Sequence, residues 1–416
     1  MKVSLGFGKQ SIELDIDREN LLGTLVPNTV EPGSSGEEEV KHALMNPIAS
    51  PRLRDIVKKD EKIVIITSDI TRPMPSKTVI PLVLEELGEA GVRDEDVCVV
   101  FALGSHRRHT EEEMRYLVGD GVYERIKCID LDVEDCIPLG ETSSGTPVSV
   151  FRPVVEADRR ICLGNIEYHY FAGYSGGAKA IMPGVCTRAA IQKNHSMMVR
   201  DEARAGALDG NPVRSDIDEV AKLVTIDFIL NVVLDEKKKI IKAVAGHYIE
   251  AHREGCSFLD TLYRVSIPEK ADIVVVSSGG YPKDINLYQA QKALDNAKHA
   301  VKDGGIVILV ASCKEGLGEH TFERWMTTSA SPEEMISNIQ KRFELGGHKA
   351  AAIAMVLAKA RVFLVSDLED AFVRSIFLEP YKSAEEALNE AFKALGSKAK
   401  VLVMPYGGST LPAVKD

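Results

Sequence analysis

One recurring unit constrains this chain more than anything else in it. A short, almost unbroken apolar run closes on Gly, Ser, Asp or His, and an amphipathic stretch follows. KIVIITSD (62–69), DVCVVFALGSH (96–106) and RRICLGNIEYH (159–169) are such runs in the first two thirds. ADIVVVSSGG (271–280), GGIVILVASC (304–313), ARVFLVSD (360–367) and AKVLVMPYGG (399–408) follow in the last third. A strand that is apolar on both sides must be covered on both faces, as in a parallel sheet between helices. The covering helices are expected in SKTVIPLVLEELGEAG (76–91), NLYQAQKALDNAKHAV (286–301), SPEEMISNIQKRFELG (331–346) and SAEEALNEAFKALG (383–396). Strand and helix in alternation define the α/β class.

At 416 residues, the chain is too long for one domain of roughly 150 residues. The pattern breaks at SIPEKAD, 265–271, before a fresh strand series. We therefore expect an N-terminal α/β domain over 1–268 and a C-terminal one over 269–416. Each should hold a largely parallel sheet flanked by helices, with the active site in the cleft between them. The first carries longer irregular pieces at 27–50 and 170–215. Ligands of open α/β sheets sit outside the carboxyl ends of the strands, so function is sought just after each run.

Composition narrows the partners. Lysine plus arginine number 51 against 62 acids, a net charge of −11, which disfavours nucleic acid and anionic membranes as partners. The longest apolar runs, such as IVILVA at 306–311, fall far short of the ~18 residues needed to span a bilayer. MKVSLGFGKQSIELDI at the start has no continuous signal-peptide core. Cys98, Cys128, Cys136, Cys162, Cys186, Cys256 and Cys313 are scattered and odd in number, without a C-x-x-C pair. That argues against a disulfide framework or zinc knuckle, and the expectation is a cytoplasmic protein.

Four constellations could carry chemistry. Asp69-Ile70-Thr71-Arg72-Pro73 follows the first run, and an aspartate, a hydroxyl and a guanidinium there suit ribose, phosphate or carboxylate. The other reading is a helix cap, with Asp69 or Thr71 at the N-cap and prolines 73 and 75 opening the helix. Gly104-Ser105-His106-Arg107-Arg108-His109 follows the second run. His106 there is either a proton-transfer group or an ordinary surface histidine in a basic loop.

The third stretch, from Glu167 to Gly184, is the richest. Its Ser175-Gly176-Gly177 turn can expose backbone N–H groups to a phosphate, and Lys179 follows closely. It is neither a Walker A loop nor G-x-G-x-x-G. His195 stands downstream in Lys193-Asn194-His195-Ser196. One histidine cannot hold a transition metal alone, so further ligands would have to come from elsewhere, a cofactor first among the sources. Tyr288-Gln289-x-x-Lys292 is the fourth, a phenol, an amide and an ammonium suited to a carboxylate. Leu287, Ala290, Leu294, Ala297 and Val301 form the buried stripe of that helix. The plain alternative for Lys292 is a solvated face.

Together these motifs resemble the nickel-dependent lactate racemase family over essentially the whole chain. D-x-T-R-P at Asp69–Pro73, G-x-H at Gly104–His106, H-x₅-SGG-x-K at His169–Lys179, His195, and Y-Q-x-x-K at Tyr288–Lys292 stand in that family's order and spacing. The resemblance implies a nickel pincer nucleotide, a pyridinium-3,5-bisthiocarboxylic acid mononucleotide that grips nickel through two sulfurs and a ring carbon. It implies His195 as the one protein ligand of nickel, and Lys179 as a cofactor contact. In some members the equivalent lysine is attached to the cofactor as a thioamide. Asp69, Ile70, Thr71 and Arg72 would hold the nucleotide, with Ser175, Gly176 and Gly177 as further contacts. His106 and His169 would be the paired proton carriers. Arg72, Tyr288, Gln289 and Lys292 would orient the substrate carboxylate. The implied partners are a 2-hydroxy acid and the proteins that build and insert the cofactor. After Lys179 the chain reads Ala-Ile-Met-Pro-Gly-Val-Cys, which departs from a lactate-specific pattern and leaves the particular 2-hydroxy acid open.

The residue types fit that chemistry. Removing the α-proton of a 2-hydroxy acid is opposed by the neighbouring carboxylate. Removing hydride leaves a stable 2-keto acid, yet no side chain accepts hydride, so a cofactor must. Inversion then needs one proton carrier on each face. A nicotinamide-dependent oxidoreductase is the main alternative, but its glycine fingerprint follows no early strand. A non-catalytic nucleotide-binding protein is the third reading. It has no use for the two histidines or for Tyr288–Lys292.

Overall fold

The computed structural model describes residues 1–28 and 35–415. They form two compact units, Val30–Asp260 on one side and Met1–Thr29 with Thr261–Asp416 on the other. The α/β class holds in both, each unit being built on a six-stranded, largely parallel sheet flanked by helices.

In the unit Val30–Asp260 the strand order is Ile240–Gly246, Phe228–Leu234, Arg159–Asn165, Ile63–Ser68, Val97–Ala102, Lys127–Asp130. All neighbours run parallel except the edge pair of Phe228–Leu234 with Ile240–Gly246. Ile63 to Ile66 are buried, and the helix Ser76–Glu89 lays Val79, Ile80, Val83 and Leu87 into the core at three- and four-residue spacing. Each such side chain contributes about 1.5–3 kcal/mol on full burial. For the site, one consequence matters. The strands Arg159–Asn165, Ile63–Ser68 and Val97–Ala102 are adjacent and parallel, so the first three motifs leave the sheet side by side.

Three strands of this sheet went unread in the sequence: Lys127–Asp130, Phe228–Leu234 and Ile240–Gly246. Within 27–50, residues 29–34 lie outside the described residues, but the rest is not irregular. The helix Gly36–Met45 begins at a capping box, in which Ser35 Oγ accepts from the Glu38 N–H at 3.3 Å and Glu38 Oε2 accepts from the Ser35 N–H at 2.8 Å. Within 170–215 lies the helix Arg188–Ser196, and Pro212–Val224 opens on Asn211.

The other unit orders its sheet as Glu379–Tyr381, Arg361–Val365, Val301–Val310, Ala271–Ser277, Val401–Met404, Leu21–Thr24, parallel throughout. The helix Leu287–Ala297 packs on one face with Val274, Val276 and Leu309. The helix Ala384–Leu395 and the hairpin Lys2–Phe7/Gln10–Asp15 cover the other, where Leu5, Leu14 and Ile16 meet Ile273, Val275 and Ile308. The first 29 residues therefore go with the C-terminal unit, whereas a linear division at 268/269 leaves them with the N-terminal one. The reason is that Leu21–Thr24 finds its ladder partner on Val401–Met404 and the hairpin finds its apolar cover there. Among the described residues no helix is long and apolar enough to cross a membrane.

Candidate functional site

Asp69 leaves the strand Ile63–Ser68 almost fully buried. Its Oδ1 accepts from the Thr71 N–H at 3.2 Å and the Thr71 hydroxyl at 2.7 Å, and its Oδ2 is bonded to His106 Nδ1. The next helix starts only at Ser76 with no side-chain cap, so Asp69 and Thr71 do not serve as its caps. Asp69, expected among the nucleotide contacts, spends its carboxylate inside the protein on His106 and Thr71. Burial pushes this carboxyl up. The bond and charge of His106, the Thr71 hydroxyl and Arg72 outweigh that and hold it below the usual range.

His106 is brought alongside by a loop in which Gly104 has φ +56°. Its side chain is part-exposed, and with Nδ1 tied to Asp69 the opposite ring nitrogen is the one placed for proton transfer. The arginines of the same loop are occupied at the surface, Arg107 with Glu113 and Arg108 with Asp132. His109, given no role by the sequence, is buried against Asp130.

His169 lies in a short antiparallel ladder, Tyr168–His169 against Gly173–Tyr174. Gly173 has φ +77°, and a Cβ there would fall 2.0 Å from the Ala207 carbonyl oxygen, so the turn requires glycine. His169 Nδ1 accepts from the Ala172 N–H at 3.2 Å, which leaves its ring proton on the other nitrogen. Phe171 packs edge-on against the ring at 4.4 Å. Burial, followed by the charges of Lys179, Arg72, His195 and Arg214, pushes this imidazole well below its ordinary pKa. Those four groups come from four stretches of sequence, so the fold gathers two of the motifs, His195 and Arg214 around one histidine.

The Ser-Gly-Gly turn is tied into the protein by side chains of other elements. Ser175 Oγ donates to the Asn165 carbonyl at 2.7 Å and accepts from the Glu167 N–H at 2.9 Å. The Gly177 N–H donates to Asn231 Oδ1 at 2.7 Å. Ser175 Oγ and the Gly177 N–H are thus engaged within the protein and anchor the loop. The glycines are needed for close packing: a Cβ at Gly176 would sit 2.8 Å from Asn231 Oδ1, and one at Gly177 would sit 2.9 Å from the His252 ring. His252 Nε2 donates to the Ser175 carbonyl at 2.8 Å, a support no local pattern signalled, 77 residues away. Ile181, Met182, Val185 and Cys186 are fully buried beneath the loop.

The Lys179 amine makes no hydrogen bond or ion pair among the described residues. Burial first, then Arg214 and Arg72, push its amine well below the usual lysine value, against a weaker pull from Glu167. A depressed pKa leaves more neutral amine, the nucleophilic form, at neutral pH. Lys179 is expected to react with an acylating reagent at pH 7 well ahead of the surface lysines, as read by peptide mass spectrometry. Labelling no faster than theirs would show an ordinary ammonium.

His195, in the helix Arg188–Ser196, is buried. Its Nδ1 stands 2.9 Å from Asn194 Oδ1. The Asn194 amide donates through Nδ2 to Asp216 Oδ2 at 2.7 Å and to the Val213 carbonyl at 3.2 Å, so Oδ1 must be its acceptor end. Asp216 is held in turn by Thr142 and Thr146 at 2.5 and 2.8 Å. This chain puts the imidazole proton on Nδ1 and the lone pair on Nε2, the arrangement of a metal-ligating histidine with an outer-shell partner. Among the described residues no three His, Cys, Asp or Glu side chains come together to hold a metal. This donor set fits a metal that arrives with its own ligands.

Tyr288, Gln289 and Lys292 lie on the helix Leu287–Ala297 of the other unit, which Asn286 caps by accepting from the Gln289 N–H at 3.0 Å. Gln289 and Lys292 are exposed, and Tyr288 is half-buried. Lys349 Nζ donates to the Tyr288 carbonyl at 2.7 Å and lies 3.9 Å from its ring centre.

Comparison with known proteins gives two family matches in chain order. The lactate racemase N-terminal domain matches residues 7–206, and the lactate racemase C-terminal domain matches 267–411. Lactate racemase of Thermoanaerobacterium thermosaccharolyticum is 35% identical, covering 98% of both chains. Lactate racemase of Lactiplantibacillus plantarum is 34% identical, covering 97% of this chain and 98% of the relative. Among solved structures, the lactate racemase apoprotein from T. thermosaccharolyticum superposes with a TM-score of 0.87 over the whole of both chains. A Thermotoga maritima protein, 19% identical, shares the fold with a TM-score of 0.61 over 91% of this chain and 97% of its own. With both domains matched and the likeness running from end to end, the chain belongs to the lactate racemase family.

Proposed function

We propose that this protein is a racemase of a 2-hydroxy acid, lactate or a close relative, working with a nickel pincer nucleotide. The observation that carries the reading is the pair His106 and His169. Each is fixed through Nδ1, one by Asp69 and the other by the Ala172 N–H, beyond the two strands that flank Ile63–Ser68. Supporting it are the residues suited to the cofactor: His195 with a directed lone pair for nickel, a reactive Lys179, and Arg72 with Ile70 and Thr71 for the nucleotide. When bound, the cofactor supplies reversible hydride acceptance, which no side chain offers. The protein's share is proton handling. From this state His106 can take a hydroxyl proton at Nε2 and His169 can give one from Nε2, and the opposite direction runs the same two transfers in reverse. Arg72, Tyr288, Gln289 and Lys292 are assigned to the substrate carboxylate, where an amide, a phenol and cations can share its lone pairs.

The test is chiral chromatography of L-lactate and a panel of 2-hydroxy acids, incubated with cofactor-loaded protein. A drift to a 1:1 mixture without net keto acid is expected. Stoichiometric keto acid with a nicotinamide would establish an oxidoreductase instead. Tight nucleotide binding with no turnover of any panel member would establish a non-catalytic binder.

A further inference from the structure

The proton-transfer scheme leaves one buried histidine of the site unused. His109 closes the loop that carries His106, and its side chain is 1% exposed against Asp130 at 7%. Its own N–H donates to Asp130 Oδ2 at 2.7 Å, and its Nδ1 lies 2.7 Å from Asp130 Oδ1. On the far side of the ring, Nε2 accepts from the Ile70 N–H at 3.1 Å. A backbone N–H can only donate, so Nε2 carries the lone pair and the ring proton sits on Nδ1, given to Asp130. Phe101 packs edge-on at 5.1 Å and closes the site to water.

This one imidazole joins the ends of three adjacent strands. Asp130 ends Lys127–Asp130, His109 follows Val97–Ala102, and Ile70 follows Ile63–Ser68. Ile70 is also the residue after Asp69, whose carboxylate holds His106. We infer that His109 is a positioning residue, which fixes the backbone at Ile70 and thereby the Asp69 carboxylate that orients His106. An aromatic or aliphatic side chain could fill the same volume, but it could not accept from Ile70 and donate to Asp130 together. Protonation of Nε2 would set two donors face to face, so the clamp requires the neutral ring. The inference rests on the proposed function for what His106 does, while the clamp itself is independent of substrate.

Two conservative variants separate the arms. His109→Asn keeps an amide nitrogen near Nδ1 for Asp130 and loses the acceptor for Ile70. His109→Gln places an amide oxygen near Nε2. In the full chain, long-range ¹H–¹⁵N NMR is expected to find His109 protonated at Nδ1, and hydrogen exchange should find the Ile70 amide protected. In His109→Asn that protection is lost with the melting temperature little changed. The rate kcat should fall on the order of 10²-fold, the scale of a 1 Å misplacement, with KM little altered. His109→Gln should recover both Ile70 protection and most of kcat. An Nε2-protonated His109 in the wild type, or wild-type kcat in His109→Asn with Ile70 deprotected, overturns the inference. A wild-type protein that leaves 2-hydroxy acids untouched overturns the proposed function alone, and the NMR and exchange results then decide the clamp.

Discussion

Replacing His195 with alanine is expected to empty the protein of nickel while leaving the fold in place. His195 is the one protein ligand proposed, and its Nε2 lone pair is directed by a continuous chain through Asn194 and Asp216 to Thr142 and Thr146. Without the imidazole a coordination position is left unfilled. Nickel should then fall from near stoichiometric to trace after loading and desalting, as read by elemental analysis. Circular dichroism guards the fold, because a buried ring lost beside Phe171 leaves a cavity. Asn194→Ala provides the intermediate case. It spares the ligand and removes its orienting acceptor, so nickel affinity should weaken by about 10–100-fold. Stoichiometric nickel in loaded His195→Ala would refute the assignment.

The second large effect concerns the proton carriers. His106→Ala and His169→Ala should each lower racemisation by about 10²–10⁴-fold. Either direction needs both groups, so neither variant should favour complete turnover. Both should keep nickel, since neither is assigned to the metal. A half-reaction confined to one enantiomer, followed in the cofactor's absorbance, should switch enantiomer between the two variants. Near-wild-type turnover in either one would end the two-histidine scheme.

The pH dependence follows with its sign. His169 is pushed well below 6.5 by burial and by neighbouring positive charge, so it stays neutral as the solution is acidified through the ordinary histidine range. No loss of activity from protonation of His169 is then expected near pH 6.5, and its acid limb should lie lower. His252 is displaced in the same direction, again chiefly by burial. Below pH 6.5 the unfolded chain therefore binds protons that the folded chain refuses, and the melting temperature should fall as pH is lowered from there.

The alternation of strand and helix was legible because strands covered on both faces must be apolar on both sides, and few other structures ask for that. The motif residues were legible because strand ends are where such folds place ligands. What was not legible has a physical reason in each case. Phe228–Leu234 carries Asn231 at its centre, a polar break that proves to hold the Gly177 N–H. Lys127–Asp130 is a four-residue edge strand with only partly buried side chains. A Ser-Gly-Gly turn reads the same whether its donors face a ligand or the protein interior, and here Ser175 and Gly177 face inward. Asp69 offered no sign of whether it would meet a ribose or a histidine. The supports at His252 and His109 depend on residues from other strands and helices, which local spacing does not encode.

The strand Leu21–Thr24 lies beside Val401–Met404, with Leu21 level with Val401. On the ribosome these partners, Leu21 and Val401, are 380 residues apart. At typical translation rates, roughly 20–75 s pass between their syntheses. Until Ala271–Ser277 and Val301–Val310 are made, Val3, Leu5, Leu14 and Ile16 have no sheet to cover, while the unit Val30–Asp260 already owns every strand of its own sheet and can fold as soon as it emerges. The nascent chain thus carries an exposed apolar hairpin until those strands arrive. The edge of this sheet closes later still, when Val401–Met404 reaches Leu21–Thr24.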